Sequence, residues 1–436
     1  MRHTGSAARR NARRQYRVTG RPGYREAGSP VGAIGTRPVP MSGTEHDRAT
    51  AGVSDCRLRH LSRNRRRAPD HSAPRASRQG GITMKAQSLV HALRDTAYLD
   101  GIDVGAYLDL AREQHPQLYA ELDFGRDGAQ QALASLAQVF NEFETDDRDN
   151  GRGDSYRRAQ QNIAVRMTGI RRLFELAGGV QDVRDLPPTW RTLDLLAGDG
   201  LLTRALRVLA PQVRDGVISS DIARTMVTAA LAAGLPAIRQ DARFLFMRSA
   251  TMDAVILAYG SHHVPSDDRT TVFQEAARVL RPGGRFVVHD FEEGSPSARW
   301  FSEAVHRHSA AGHPYRHFTA EELRRGLGAA GLRGIRVHRV YDPFIMRAAT
   351  REDAVGQLAD YMHDMYGLCG LDRGDATREA VRARVWHLCE ECFCFGPHDG
   401  GADHTDTWPR RPAVYRVGGQ WVAEIPRIAL VGVGEK

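Results

Sequence analysis

The chain has 436 residues, enough for two domains or for one large domain with insertions. Its formal charge of +9 is unevenly placed: residues 1–83 hold eighteen Arg against five acidic residues, a net of +13, and the remainder holds 43 basic against 47 acidic, a net of −4. The part able to fold therefore lacks the basic excess of a nucleic-acid binder. No apolar run approaches the roughly 20 residues of a membrane span, and five cysteines fit a reduced cytoplasmic protein better than a disulfide scaffold.

Residues 1–83 are rich in Arg, Gly, Ser and Pro and show no apolar periodicity, so a disordered basic leader is expected there. The segment lacks the apolar run of a secretory signal, and its composition resembles a transit peptide or a nucleic-acid-binding arm. A simpler account is preferred. Lys85 and Lys436 are the only lysines, the Arg bias of a GC-rich coding sequence, and Arg78-Gln-Gly-Gly-Ile-Thr-Met84 fits a purine-rich ribosome-binding sequence before a start codon. On that account the native chain begins at Met84.

Residues 84–180 read as a helical cap. Apolar residues recur three and four apart over 88–98, 104–112, 128–143 and 156–176, the last with Ile163, Met167, Ile170, Leu173 and Phe174 on one side. The polar, glycine-broken 146–154 is a loop. Packing on the following domain accounts for these apolar faces, with a homodimer through the same helices as the other use.

From Thr192 strands and helices alternate, the pattern of a parallel sheet with crossover helices. Thr192-Leu-Asp-Leu-Leu-Ala-Gly-Asp-Gly200 reads as a buried strand and a glycine turn, and 201–209 as the helix that follows. Strands are expected at 216–221, 237–241, 252–259, 285–289 and 334–341, with a final antiparallel strand at 427–433. Residues 348–412 are then a helical insertion between the last two strands, in a domain covering 181–436. The strand ends gather Asp194, Asp221, Asp241, His262, His263, His289 and Asp290 at the edge where open α/β sheets bind ligands.

This series resembles the class I S-adenosylmethionine-dependent methyltransferases over about residues 190–290. Leu193-Asp-Leu-Leu-Ala-Gly-Asp-Gly200 matches the family's hydrophobic-Asp-x-Gly-x-Gly-x-Gly motif, except that Leu196 stands where the first glycine is expected. Met252-Asp-Ala254 and Ala277-Arg-Val-Leu-Arg-Pro-Gly-Gly284 match later motifs. The resemblance implies an α/β fold with a Rossmann-like seven-stranded sheet and S-adenosylmethionine as cofactor. It places the cofactor against Asp194, Ala197, Gly198 and Gly200, its ribose on Asp221 beside Ile222 and its adenine on Asp241 and Ala242, with Tyr259 as a further cofactor-binding residue. A dinucleotide-dependent dehydrogenase fits less well, because the third glycine of its fingerprint would fall on Thr203.

In-line methyl transfer needs positioning, and a base where the nucleophile starts protonated. His263, and next to it His262, follow the fourth strand and are the candidate bases; capping a turn is the alternative for either. His289, Asp290, Glu292, Glu293, His313 and His317 add the makings of a His/carboxylate metal site, but ordinary hydrogen bonding at strand ends explains them and no metal is assigned. Cys389, Cys392 and Cys394, with Cys369, His387, His398 and His404 near them in sequence, lack a second clean pair for zinc and read as buried thiols. The expected function is methyl transfer to a small-molecule acceptor, in secondary metabolism by analogy, with neither membrane nor nucleic-acid partner. An RNA or protein methyltransferase using the basic leader, and a non-catalytic cofactor-binding regulator, are the other classes.

Overall fold

The structure, a computed structural model, describes residues 88–139, 141–145, 151–372, 374, 376–397, 399 and 408–436. The basic leader, Met84, most of the 146–154 loop, His398 and His404 lie outside the described residues. Ten strands carry the main architecture: Thr192–Leu195 (β1), Val217–Asp221 (β2), Ala237–Arg239 (β3), Met252–Leu257 (β4), Leu280–Asp290 (β5), Arg333–Tyr341 (β6), Phe344–Ala348 (β7), Ala413–Val417 (β8), Gln420–Ile425 (β9) and Ile428–Glu435 (β10). Seven form one sheet in the order β3-β2-β1-β4-β5-β10-β6. Strands β1 to β5 pair in parallel and β10 runs antiparallel to both neighbours, as the expected α/β seven-stranded fold requires.

The sheet centre is buried on both faces, which is why its strands read as near-continuous apolar runs. Side chains still alternate: Val255 and Leu257 enter one core with Leu193 and Leu195, while Ala254 and Ile256 enter the other with Val287. Within β5 the segment 281–284 bulges from the ladder, since Met252 pairs with Leu280 and Ala254 with Arg285. The Arg-Pro-Gly-Gly sequence explains this, because proline cannot donate to a ladder and Gly283 takes a φ of +78°.

Helices Val104–Gln114 (α1), Pro116–Glu121 (α2) and Ala129–Leu136 (α3) bury Tyr107, Leu118 and Leu133 with Leu193, Leu195 and Phe246 in one core. Their apolar faces are thus used within the chain. Two expected helices are shorter than their apolar periodicity suggests. Helical residues 88–93 give way to a small hairpin pairing Ala97–Leu99 with Ile102–Asp103 around Gly101, and the helix expected over 128–143 is confined to α3. The helix expected over 156–176 is three pieces: Gly153–Gln160 (α4), a 3-10 turn Ile163–Arg166, and Met167–Gly178 (α5). Gly169 lets α5 approach the Asp342 carboxylate, which would lie only 1.8 Å from a Cβ at that position.

Beyond the glycine turn come Leu201–Leu209 (α6), Arg224–Ala232 (α7), Arg269–Val279 (α8) and Pro296–Trp300 (α9), which runs on through a π-helical turn Phe301–Val305. Ala320–Ala329 (α10) opens with the expected capping box of Thr319 and Glu322. The chain between β6 and β10 holds Arg351–Tyr366 (α11) and Arg378–Cys392 (α12), as a helical insertion should, but it also holds an antiparallel sheet of order β8-β9-β7. The β8–β9 turn is Gly418-Gly419, both with positive φ, a hairpin signal that the sequence reading passed over. Cys389 and Cys392 are buried in the core, and burial pushes the Cys389 thiol well above its usual range. Among the described residues no helix is long and apolar enough to cross a membrane.

Candidate active site

Strand β1 delivers the chain into a turn with three left-handed residues, Leu196 (φ 60°), Gly198 (φ 56°) and Gly200 (φ 91°). Gly200 caps α6, and a Cβ there would fall 2.5 Å from Leu235 Cδ1; one on Gly198 would fall 3.3 Å from the Tyr156 ring. The turn is tied down where Ala197 N donates to Ser220 O across 3.0 Å and Gly200 N to Ala197 O across 3.0 Å. Leu196 thus occupies a conformation that suits glycine, at a cost of about 1–2 kcal/mol. Its side chain lies towards Gly260, where a Cβ would be 3.6 Å from Leu196 Cδ1. The departure from the motif narrows the space beside the end of β4.

Asp221 ends β2 and lines the cavity in front of this turn. Its carboxylate accepts from Gly198 N at 2.7 Å and from Ala223 N at 2.9 Å, while burial raises its pKa. Asp194 is 1% exposed, leaves Oδ2 without a partner, and is pushed well above the usual carboxylate range by burial and by Asp221. It lies outside the cavity lining. So do Asp241 and Ala242: the Asp241 carboxylate is held by the Arg243 guanidinium at 2.6 Å, and Arg243 also reaches Asp268 at 3.0 Å.

The cavity encloses about 350 Å³, within the usual range of small-molecule sites. Leu196, Gly198, Asp221, Ile222 and Met226 form one wall. Tyr259, Gly260 and His263 follow β4, Tyr315 comes from the loop before α10, and Glu142, Phe143, Arg152 and Tyr156 reach in from the helical cap. A further void of about 30 Å³ lies among Tyr156, Tyr259, Arg152, Arg166 and Arg427.

Arg427 in that void pairs with Asp342 at 2.6 Å and Arg152 with Glu142 at 2.9 Å. Arg166 is 3% exposed, lies 3.7 Å from the Tyr259 ring centroid and leaves its Nε without a hydrogen-bond partner; burial alone would lower its pKa, but Tyr361, Tyr259 and the Asp342 carboxylate raise it. A buried guanidinium nitrogen without an acceptor is costly, and Asp342 is already shared with Arg427 and His289, which leaves a place for a further anionic group. Sequence reasoning missed Arg166, Arg152 and Tyr156 because only folding turns the cap towards the sheet. The one local signal was an Arg set in the apolar stretch Ile163-Ala-Val-Arg-Met167.

The acceptor-side wall carries histidines. His262 Nδ1 lies 3.1 Å from Asp290 Oδ2, and His317 Nδ1 lies 2.7 Å from Asp290 Oδ1. Ser261 Oγ and Phe291 N also donate to this carboxylate. Burial alone would raise the Asp290 carboxyl, but His262 and His317 hold it well below the usual range. Burial lowers His262 and, more strongly, His263, so both imidazoles are neutral at pH 7. The His263 ring faces Tyr315, with centroids 4.3 Å apart. His313 is 6% exposed with both ring nitrogens unpartnered, and burial lowers its pKa to about 2. His289 turns away to Asp342, at 3.3 Å, and Glu292 pairs with Arg339.

Comparison with known proteins adds the following. Residues 193–288 match the family described as "Methyltransferase domain". The ubiquinone/menaquinone biosynthesis C-methyltransferase UbiE of Syntrophotalea carbinolica is 34% identical over 133 residues, which are 29% of this chain and 53% of that protein. The demethylmenaquinone methyltransferase of Mycolicibacterium vanbaalenii is 28% identical over 153 residues, 32% of this chain and 64% of that protein. The chain thus spans between about half and just under two thirds of the length of these curated relatives. Among solved structures, phosphoethanolamine N-methyltransferase 2 of Haemonchus contortus in complex with S-adenosyl-L-methionine is 14% identical, with 69% of this chain and 60% of that chain covered and a TM-score of 0.40.

Proposed function

We propose that this chain, which carries a class I S-adenosylmethionine-dependent methyltransferase domain over residues 193–288, moves a methyl group from S-adenosylmethionine to a small-molecule acceptor inside the 350 Å³ cavity. The observation that carries the reading is one enclosed space with Gly198 and Asp221 on one wall and the neutral imidazole of His263 on another. The residues fit the cofactor by their own geometry. Gly198 leaves its side of the cavity free of a side chain, Asp221 offers acceptor oxygens suited to ribose hydroxyls, and Ile222 and Met226 supply an apolar flank for a base. Bound there, the cofactor supplies an electrophilic methyl on a sulfonium.

Arg166 pairs with the carboxylate of the cofactor's methionine portion in this reading, which gives its Nε the acceptor it lacks. Asp194 supports the turn from behind, with Ala197 and Gly200 fixing its shape. Asp241 reaches the adenine only on leaving Arg243, with Ala242 beside it. Tyr259, whose ring centroid lies 3.7 Å from the Arg166 guanidinium, lines the cavity on the cofactor's side. His263 takes the acceptor's proton, and His262, fixed by Asp290, backs it. The cap lies outside residues 193–288 and brings Glu142, Phe143, Arg152 and Tyr156 to the cavity wall, so part of the acceptor pocket is this chain's own; secondary metabolism is proposed as the setting by analogy alone.

Calorimetry of S-adenosylmethionine on the purified full chain, followed by transfer of isotopically labelled methyl to a panel of phenolic, enolic and amine acceptors, tests the reading. Saturable cofactor binding and at least one labelled small product are expected. Absence of cofactor binding overturns it, and binding without any methyl release would favour a regulator.

A further inference from the structure

We propose that His262, His263 and His313 form a site for a divalent transition-metal ion at the acceptor end of the cavity, with Asp290 as the carboxylate that orients His262. One ring nitrogen from each of the three histidines lies within 4.8 Å of the other two. Ring centroids are 4.6 Å apart for His262 and His263, 4.9 Å for His262 and His313, and 5.3 Å for His263 and His313. Metal–imidazole bonds of about 2.0–2.1 Å then need only small side-chain rotations to bring three nitrogens onto one ion.

Hydrogen bonding supports this assignment. With His262 Nδ1–H donating to Asp290, Nε2 keeps its lone pair, the tautomer of carboxylate–histidine–metal arrangements. The His263 ring lines the cavity and packs against the rings of His313 and Tyr315. His313 is nine-tenths buried with both nitrogens unpartnered, a state costing about 1–3 kcal/mol for each unsatisfied group unless a ligand or water serves it. Asp290 and, beyond His317, Glu293 bring negative charge to the cluster, and Arg152 brings positive charge from the cap. Three neutral imidazoles select zinc, iron, cobalt, nickel or copper over magnesium or calcium. An open position on the cavity side suits an acceptor oxygen, whose pKa the ion would lower.

The inference rests on the methyltransferase reading for what occupies that open position, and it makes His263 a ligand in the metal-loaded form. The probe is Co²⁺, titrated into chelator-treated full chain and followed by visible absorption. Saturation at one equivalent is expected, with roughly tenfold or greater weakening in His313→Ala and no change in His387→Ala, an exposed histidine paired with Glu391. Equal affinity in wild type and His313→Ala, or no saturable binding by wild type, overturns the proposal and leaves water as the partner of these nitrogens. Should His313→Ala lose its fold by circular dichroism, His263→Gln on the cavity wall carries the same expectation and the same overturning result. S-adenosylmethionine calorimetry on the same samples separates the two readings. Cofactor binding without a cobalt site overturns the metal alone, whereas cobalt binding without cofactor binding overturns the methyltransferase reading and supports the site.

Discussion

Gly198 N donates to the Asp221 carboxylate across 2.7 Å, so the acidic residue proposed for the ribose also closes the glycine turn that faces it. Two consecutive strands of the sheet are thereby locked at their C-terminal ends. Replacing Asp221 with Ala removes a cofactor partner and an anchor of the turn together. S-adenosylmethionine affinity should fall by about 1–3 kcal/mol, or roughly fivefold to 150-fold, by calorimetry. Unchanged affinity would take Asp221 out of the site.

Leu196 presents the opposite case, a side chain where the turn geometry suits none. Removing a fully buried leucine usually costs about 2–5 kcal/mol, and Leu196 is only partly buried. Here Leu196→Gly also relieves a left-handed conformation worth about 1–2 kcal/mol and empties space beside Gly260. The variant should therefore lose less than about 1.5 kcal/mol in denaturant unfolding. Its cofactor affinity should be equal or better. A loss above about 3 kcal/mol would mean that Leu196 is packing, not strain.

Arg166 separates binding from stability. A buried guanidinium with an unpartnered Nε opposes folding, and the Tyr259 ring and a shared Asp342 carboxylate compensate only in part. Arg166→Met should leave the unfolding midpoint equal or higher while weakening S-adenosylmethionine by roughly tenfold or more. A variant that unfolds earlier and binds cofactor normally would assign Arg166 a structural role.

These three residues also mark what sequence could and could not disclose. The β1 turn and Asp221 were legible because strand, glycines and carboxylate act over short stretches with a fixed period. Arg166 was not, since its burial depends on the 3-10 turn before α5 and on Gly169 meeting Asp342, a contact between distant parts of the chain. Asp241 was expected at the adenine from the family resemblance, but Arg243, two residues on, holds its carboxylate, which lies outside the cavity lining. Of the group expected at the strand ends, His262, His263, His313, His317 and Asp290 do come together, whereas His289 turns to Asp342 and Glu292 to Arg339. That Asp290 would hold His262 and His317 while His313 kept two bare nitrogens is a matter of side-chain direction, which spacing does not carry.

Glu275 on α8 gives a pH test of how the cap is fastened to the sheet domain. Its carboxylate accepts from Arg126 at 2.7 Å, from Arg278 at 2.8 Å and from Leu245 N at 2.8 Å, with 12% of the side chain exposed. Burial alone would raise its pKa, but the two guanidiniums and the amide lower it from 4.5 to about 2. A folded-state pKa below the unfolded one means that the unfolded chain binds the proton more readily. The stabilisation is complete above the unfolded value near 4.5 and is lost as pH falls towards about 2. Glu275→Gln should thus cost about 1–3 kcal/mol at pH 7, and its difference from wild type should shrink steadily below about pH 5. Parallel denaturant curves for the two proteins between neutral pH and acid measure this, and a gap that stays constant with pH would show that the Arg126 and Arg278 contacts do not act through the charge of Glu275.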